Sequence, residues 1–172
     1  NGKNKQIYAE NTIIAIGSKP RLLPGVDVDE KIIMTSDGIH EIDDFPKSLV
    51  IVGAGVIGCE FATIFSNFGK TKVHLIDRAD KVLPFEDDDI SGMIENNLAK
   101  NGVILHHRAT LERLEKKDGE VEYELSYPDG RREVIRVEKA LLSVGRVLNS
   151  DSLEMENAGV SMSKRGVHIG DD

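Results

Sequence analysis

Six consecutive residues, Gly53-Ala54-Gly55-Val56-Ile57-Gly58, set three glycines at the spacing GxGxxG, and an acid, Asp77, follows 19 residues after the last of them. Each residue type has a physical task if the ligand is a dinucleotide. The first glycine permits a tight turn, the second lets the backbone approach a diphosphate, and the third lets a helix pack closely on a strand. The diphosphate then rests on unpaired N–H groups at the positive end of that helix. Asp77 accepts hydrogen bonds from a ribose, and its charge repels the 2′-phosphate of NADP, so the pattern predicts NAD(H). Arg78 has two readings: a surface ion pair, or a grip on a 2′-phosphate that would admit NADP. The mundane alternative for the whole pattern is a tight strand-to-helix turn with Asp77 as a solvated strand end. GxGxxG alone is weak; its place after an apolar run, at the start of a helix and ahead of a strand-end acid weighs against that alternative.

The elements that position these residues follow from the apolar runs and the Gly and Pro residues between them. Residues 49–52 form a short all-apolar run, as expected of a strand buried on both faces of a parallel sheet. A helix is predicted from about Val56 to Asn67 and ended by Gly69, then a strand over 73–76. The acidic run Glu86-Asp87-Asp88-Asp89 precedes a helix with apolar positions at Ile90, Met93, Ile94 and Leu98; acids there favour the helix dipole, a simpler account than calcium binding. After Gly102 comes a strand over 103–105. Three alternating segments, 110–116, 121–127 and 133–137, joined at Asp118-Gly119 and Asp129-Gly130, then read as an antiparallel meander, and 140–144 returns as an apolar strand. Upstream, 12–16 has strand length, and Thr35-Ser36-Asp37 reads as the N-cap of a short helix reaching Ile42. From Asn149 onward the chain is polar, with turn signals at Asn157-Ala158-Gly159 and Arg165-Gly166. The fold predicted is α/β: a Rossmann-like parallel sheet with flanking helices, whose last crossover is a three-stranded antiparallel meander.

Bulk properties exclude several classes. At 172 residues, 40% of them hydrophobic and 30% charged, the chain has globular composition and the length of one domain. A net charge of −8 repels nucleic acid and anionic lipid, and no apolar run approaches the roughly 20 residues of a membrane span, so neither partner is expected. Cys59 alone makes no internal disulfide, zinc site or redox pair; with no secretory signal at the start, a cytoplasmic protein is expected. The absence of an initiator Met hints at a piece of something longer. His40, His74, His106, His107 and His168 show no metal-ligand spacing, and as surface or edge residues they carry no expected site. No GxSxG, HExxH or P-loop is present, and Tyr8, Tyr123 and Tyr127 lack a Lys four residues on, against a short-chain dehydrogenase.

The segment from Pro46 through the glycine motif to Cys59-Glu60, followed by Asp80-Lys81-Val82-Leu83-Pro84, resembles the nucleotide half of the pyridine nucleotide-disulfide oxidoreductases, and within them the dihydrolipoamide dehydrogenase type. Two more stretches agree. Residues 12–20 are similar to the family's second flavin-contacting motif, with Ala15-Ile16-Gly17 for the usual Ala-Thr-Gly, and Val144-Gly145-Arg146-Val147-Leu148-Asn149 is similar to its Gly-Arg-x-Pro-Asn stretch. The resemblance implies that Ala54, Ile57, Glu60, Asp77 and Gly145 touch the nicotinamide nucleotide, with Glu60 near the nicotinamide and the flavin; Thr110 is a candidate for lining the adenine, and Gly17 for FAD in a full-length parent. It implies residues 1–45 as the tail of a flavin-domain segment and linker, 46–149 as the NAD-binding domain, and 150–172 as a return segment. Partners are then NAD(H) and the parent's flavin and dimerisation domains. The family's first flavin motif, its CxxxxC pair and its catalytic His are not in these residues, so the piece itself is expected to bind NAD(H) and turn over nothing. Cys59 is expected to be a packing residue, and Leu148 and Ile16 depart from the family's Pro and Thr. A nucleotide-sensing module without a catalytic parent, an NADP-using relative of the glutathione reductase, mercuric reductase or transhydrogenase type, and an S-adenosylmethionine methyltransferase are the competing readings.

Overall fold

The protein is described by a computed structural model over residues 6–151, 153–163 and 166–167. In chain order the strands are β1 (Ser18–Pro20), β2 (Ile33–Thr35), β3 (Ser48–Val52), β4 (Lys72–Ile76), β5 (Ile104–His106), β6 (Thr110–Lys117), β7 (Glu120–Ser126), β8 (Arg132–Val137), β9 (Lys139–Leu142), β10 (Arg146–Leu148), β11 (Met162–Ser163) and β12 (Gly166–Val167). The two α-helices are α1 (Val56–Asn67) and α2 (Asp88–Lys100). Contacts divide the chain into two units, Pro20–Arg146 and the two terminal segments outside it.

The larger unit is built on a five-stranded sheet of order β2-β9-β3-β4-β5, all parallel. Because successive side chains point to opposite faces, the wholly apolar β3 feeds two cores. Leu49 and Ile51 join Val73, Leu75 and Leu141 on one face, under Ala62 and Phe65 of α1 and Leu98 of α2. Val50 and Val52 join Ile76, Ala140 and Leu142 on the other, under Val121, Tyr123 and Leu125 of β7. The meander therefore does for one face what helices do for the other, and the expected α/β architecture is the one found. Its first turn fits its sequence: Asp118 (φ 54°) and Gly119 (φ 83°) both sit at positive φ between paired Lys117 and Glu120, as a two-residue hairpin requires. On the outer face of β7, hydrogen bonds from Arg136, Arg113 and Lys117 hold the Glu122 carboxyl down to about 2.

Several local expectations are corrected. Residues 12–16 form no strand, and Ile13 is 92% exposed; a buried parallel strand needs a neighbouring edge, and none of the described strands pairs with this run. Ile33–Thr35, for which no strand was expected, is the edge strand β2, fully buried beside β9. The short helix after it is one 3-10 turn, Gly38–Glu41, and Asp37 makes no side-chain cap. On α2, Ile90 and Met93 face solvent, and Ser91, Ile94 and Leu98 form the inner face, because Ser91 bonds through its hydroxyl to the Leu83 carbonyl. His74 and His106 are not surface residues: their rings stack in the sheet–meander core, with His74 Nδ1 3.0 Å from His106 Nε2 and His106 Nδ1 2.8 Å from the Tyr127 hydroxyl.

In the other unit, Gly17 of the expected flavin-contacting motif lies beside Asn149, the last residue of the Gly-Arg-x-Pro-Asn-like stretch. The Asn149 amide donates to the Gly17 carbonyl at 3.2 Å, and its side chain donates to the Ile16 carbonyl at 3.1 Å. A 3-10 turn, Met155–Ala158, ends at Gly159 (φ 72°), matching the turn signal there. His168, the terminal Gly170-Asp171-Asp172 and Arg165 lie outside the described residues.

Candidate functional site

Strand β3 ends at Val52, and the chain turns at once. Gly53, at φ 104°, donates its amide to the Ile76 carbonyl at 2.8 Å, and a side chain there would come within 2.5 Å of the Ser143 carbonyl. Only glycine fits both conditions. Ser143, immediately after β9, closes the turn from the other side: its amide donates to the Val52 carbonyl, and its hydroxyl stands 2.9 Å from the carbonyls of Val52 and Gly53. A methyl on Gly58 would run into the Gly53 carbonyl, so the third glycine lets α1 start hard against the strand it follows.

Gly55 differs in kind. It is the N-cap of α1, and a Cβ built on it meets no atom within 4 Å. The first-turn amides of α1 therefore face space that no cap side chain fills, and they have no acceptor within the helix. Asp77, the first residue after β4, comes to this turn: its Oδ2 accepts the Ala54 amide at 2.7 Å and its Oδ1 accepts the Ala79 amide at 2.8 Å. Each oxygen keeps a lone pair for a further donor, such as a sugar hydroxyl.

These groups border a cleft of about 680 Å³ at the carboxyl ends of β3, β4 and β9. The chain runs from β3 outward through β4 to β5 and returns across the meander to β9 on the other side of β3, so the cleft opens where the strand order reverses, the place where open α/β sheets bind ligands. Gly53, Gly55, Val56, Ile57, Asp77, Arg78 and Gly145 line it. Ala54 and Gly58 are buried behind the turn. Thr110 is not part of the lining; its neighbours Ala109 and Leu111 are. Glu60 is exposed on α1 away from the lining, and Gly17 belongs to the other unit. Arg78 is exposed at the cleft, and no ion pair engages it among the described residues. The lining also contains Arg21, Phe85 and Ser143, to which the sequence reading gave no role. Arg21 is brought there by its amide, which donates to the Gly145 carbonyl at 2.9 Å. No sequence motif marks it.

Cys59 sits beneath the turn with its thiol 3.4 Å from the Ala54 carbonyl; burial, first, pushes the thiol up to about 11, so it packs and does not react. Among the described residues no group of three or more His, Cys, Asp or Glu is placed to hold a metal, and no helix is long and apolar enough to cross a membrane.

Residues 1–172 match the family model described as pyridine nucleotide-disulphide oxidoreductase. The chain belongs to that family. The chain is 37% identical over 160 residues to dihydrolipoyl dehydrogenase of Bacillus subtilis (strain 168), covering 92% of this chain and 33% of that protein. It is 39% identical over 166 residues to soluble pyridine nucleotide transhydrogenase of Azotobacter vinelandii, covering 96% of this chain and 35% of that protein. Among solved structures it is similar to LpdA from Mycobacterium tuberculosis, with TM-score 0.76 and 30% identity over 87% of this chain and 32% of that one. The flavoprotein disulfide reductase RclA from Escherichia coli gives 0.74 and 30% over 91% and 35%. The chain thus spans about a third of the length of its relatives, and members of the family use FAD and a pyridine nucleotide.

Proposed function

We propose that this chain is the NAD(H)-binding domain of a flavin-dependent disulfide oxidoreductase, whose full-length activity is the oxidation of dihydrolipoamide by NAD+ to lipoamide and NADH. The observation that carries the reading is the glycine turn itself: open at Gly55, uncapped, and met at 2.7 Å by a strand-end carboxylate. A diphosphate fits that space because the first-turn amides of α1 have no acceptor within the helix and no cap side chain covers them. Residues 53–58 supply backbone approach, Asp77 holds the adenosine ribose, and Gly145 borders the opposite wall. When bound, the nicotinamide accepts or gives up a hydride opposite the parent's flavin. The part played by these residues is to bind, to orient and, through Val56, Ile57 and the apolar ends of β3 and β4, to exclude water. Glu60 is assigned to the nicotinamide end, Thr110 to the adenine side and Gly17 to the parent's FAD, with residues 46–149 as the nucleotide domain and the flanking segments packing on the flavin domain. A cytoplasmic setting fits a single buried thiol.

One observation favours a second reading: Arg78 is exposed, lines the cleft and is left without an ion pair among the described residues, which suits the 2′-phosphate of NADP and a transhydrogenase-type parent. Calorimetric titration with NADH, NADPH and S-adenosylmethionine decides between them. NADH is expected to bind best, and Asp77→Ala to narrow its lead over NADPH. Equal or tighter NADPH binding by the unaltered chain overturns the NAD assignment, and tighter S-adenosylmethionine binding overturns the family of ligands altogether.

A further inference from the structure

Phe85 is 98% exposed and yet lines the cleft. A whole aromatic ring in water forgoes the burial that makes such residues worth having, and the loop that carries it is not loose. The Leu83 amide donates to the Ala54 carbonyl at 2.8 Å, tying the loop to the glycine turn, and the Glu86 amide donates to the Leu83 carbonyl at 2.9 Å. Ser91 Oγ donates to that same carbonyl at 3.1 Å, and Lys81 Nζ donates to the Glu86 carbonyl at 3.0 Å. These bonds keep Leu83 at φ 48°, a left-handed conformation that a branched side chain adopts only when its surroundings impose it. A pinned loop thus presents a bare ring at the mouth of the cleft.

The wall it shares identifies what covers it. Asp77 and Arg78 leave β4, and the chain then runs directly through residues 79–84 to Phe85, with Pro84 also in the lining. In the proposed function Asp77 grips the adenosine ribose, so the base attached to that sugar belongs to the same side of the cleft. A purine offers two flat π faces, and a flat aromatic face is the complement that gains most from stacking on it. We infer that Phe85 stacks on the adenine of the bound dinucleotide and is a ligand-binding residue that sets affinity at that end of the cleft. This rests on the NAD(H) reading of the cleft, and it adds a contact that the glycine motif and Asp77 do not supply.

The sequence contains no Trp, so Phe85→Trp places a single reporter at the site. ADP-ribose is expected to quench its emission, and nicotinamide mononucleotide to leave it unchanged. By calorimetry, Phe85→Ala is expected to weaken NADH and ADP-ribose binding about tenfold, the scale of one base–aromatic stack. Phe85→Leu keeps apolar area without a flat face and is expected to lose nearly as much. Because the side chain touches solvent on almost all sides, the melting temperatures of these variants should match that of the unaltered chain. NADH binding within twofold of normal in Phe85→Ala, or a tryptophan signal unmoved by saturating ADP-ribose, overturns the inference while leaving the cleft assignment intact. Failure of the unaltered chain to bind NADH or ADP-ribose at all overturns the cleft assignment, and the inference with it.

Discussion

Replacing Gly55 with alanine separates what the glycine turn does for the fold from what it does for the ligand. Gly55 sits at φ −75° and ψ −171°, a conformation open to any residue. A Cβ there meets no atom within 4 Å. The folded chain accepts the methyl without collision and the unfolded chain loses freedom, a gain of about 0.5 kcal/mol, but alanine is a poorer N-cap than glycine by a similar amount, so stability is expected to change by less than about 0.5 kcal/mol. For a domain of this size that is a shift of no more than about 1–2 °C in melting temperature. The same methyl stands where the backbone must approach the diphosphate. Losing a single amide-to-phosphate hydrogen bond, at about 1.5–3 kcal/mol, weakens binding by at least roughly tenfold. Gly58→Ala is the contrasting variant: its methyl collides with the Gly53 carbonyl and lies 2.9 Å from Ser143 Oγ. Helix α1 must then back away from β3, at about 1–3 kcal/mol of stability. Thermal melts and NADH calorimetry on the two variants read both quantities. Unchanged NADH affinity in Gly55→Ala would refute the diphosphate assignment, and a melting temperature as low as that of Gly58→Ala would refute the claim that the space is free.

Asp77→Ala removes the acceptor of two backbone amides and is expected to cost about 1–3 kcal/mol of stability, with Asp77→Asn costing less because one acceptor remains; equal melting temperatures would show that those bonds carry nothing. Cys59, raised to about 11 by burial, is expected to resist Ellman's reagent at pH 8 until the chain is unfolded, and rapid labelling of the native protein would contradict its packing role. Burial, first, and then the neighbouring His106 lower His74 from the ordinary 6.5 to about 4, and burial lowers His106 as well. Between pH 6.5 and about 4 the unfolded chain binds protons that the folded chain refuses, so stability is expected to fall as the pH drops through that window. Urea titrations at pH 7 and pH 5 with equal midpoints would show that His74 is not shielded.

The parts of the fold that could be read in the sequence are those whose pattern is local. The helix over Val56–Asn67 was bounded by its own glycines, and the hairpin at Asp118-Gly119 by the positive φ that only such residues accept cheaply. Strand β2 was not legible, because three residues are too few to show a period; it exists because β9 offers an edge, and that edge comes from a segment more than a hundred residues away. The run over 12–16 failed in the opposite sense, having strand composition and no edge to join. The burial of His74 and His106 depended on the meander folding over the sheet, which no local window contains. At the candidate site, Gly53, Gly55, Gly58 and Asp77 were legible because a fixed strand-turn-helix unit relates them. Arg21, Phe85 and Ser143 were not, since each reaches the cleft through a loop or a strand end from another part of the chain.

The pairing of β3 with β9 joins Leu49 to Lys139 across almost the whole of the larger unit. During synthesis, the all-apolar β3 leaves the ribosome long before the strand that will cover its flank. At about 5–20 residues per second the intervening stretch takes roughly 5–20 s to appear. Throughout that delay the strand's free amides and carbonyls are a template for any other extended chain. Truncation or stalling ahead of β9 therefore leaves that flank of β3 open to pairing with other extended chains.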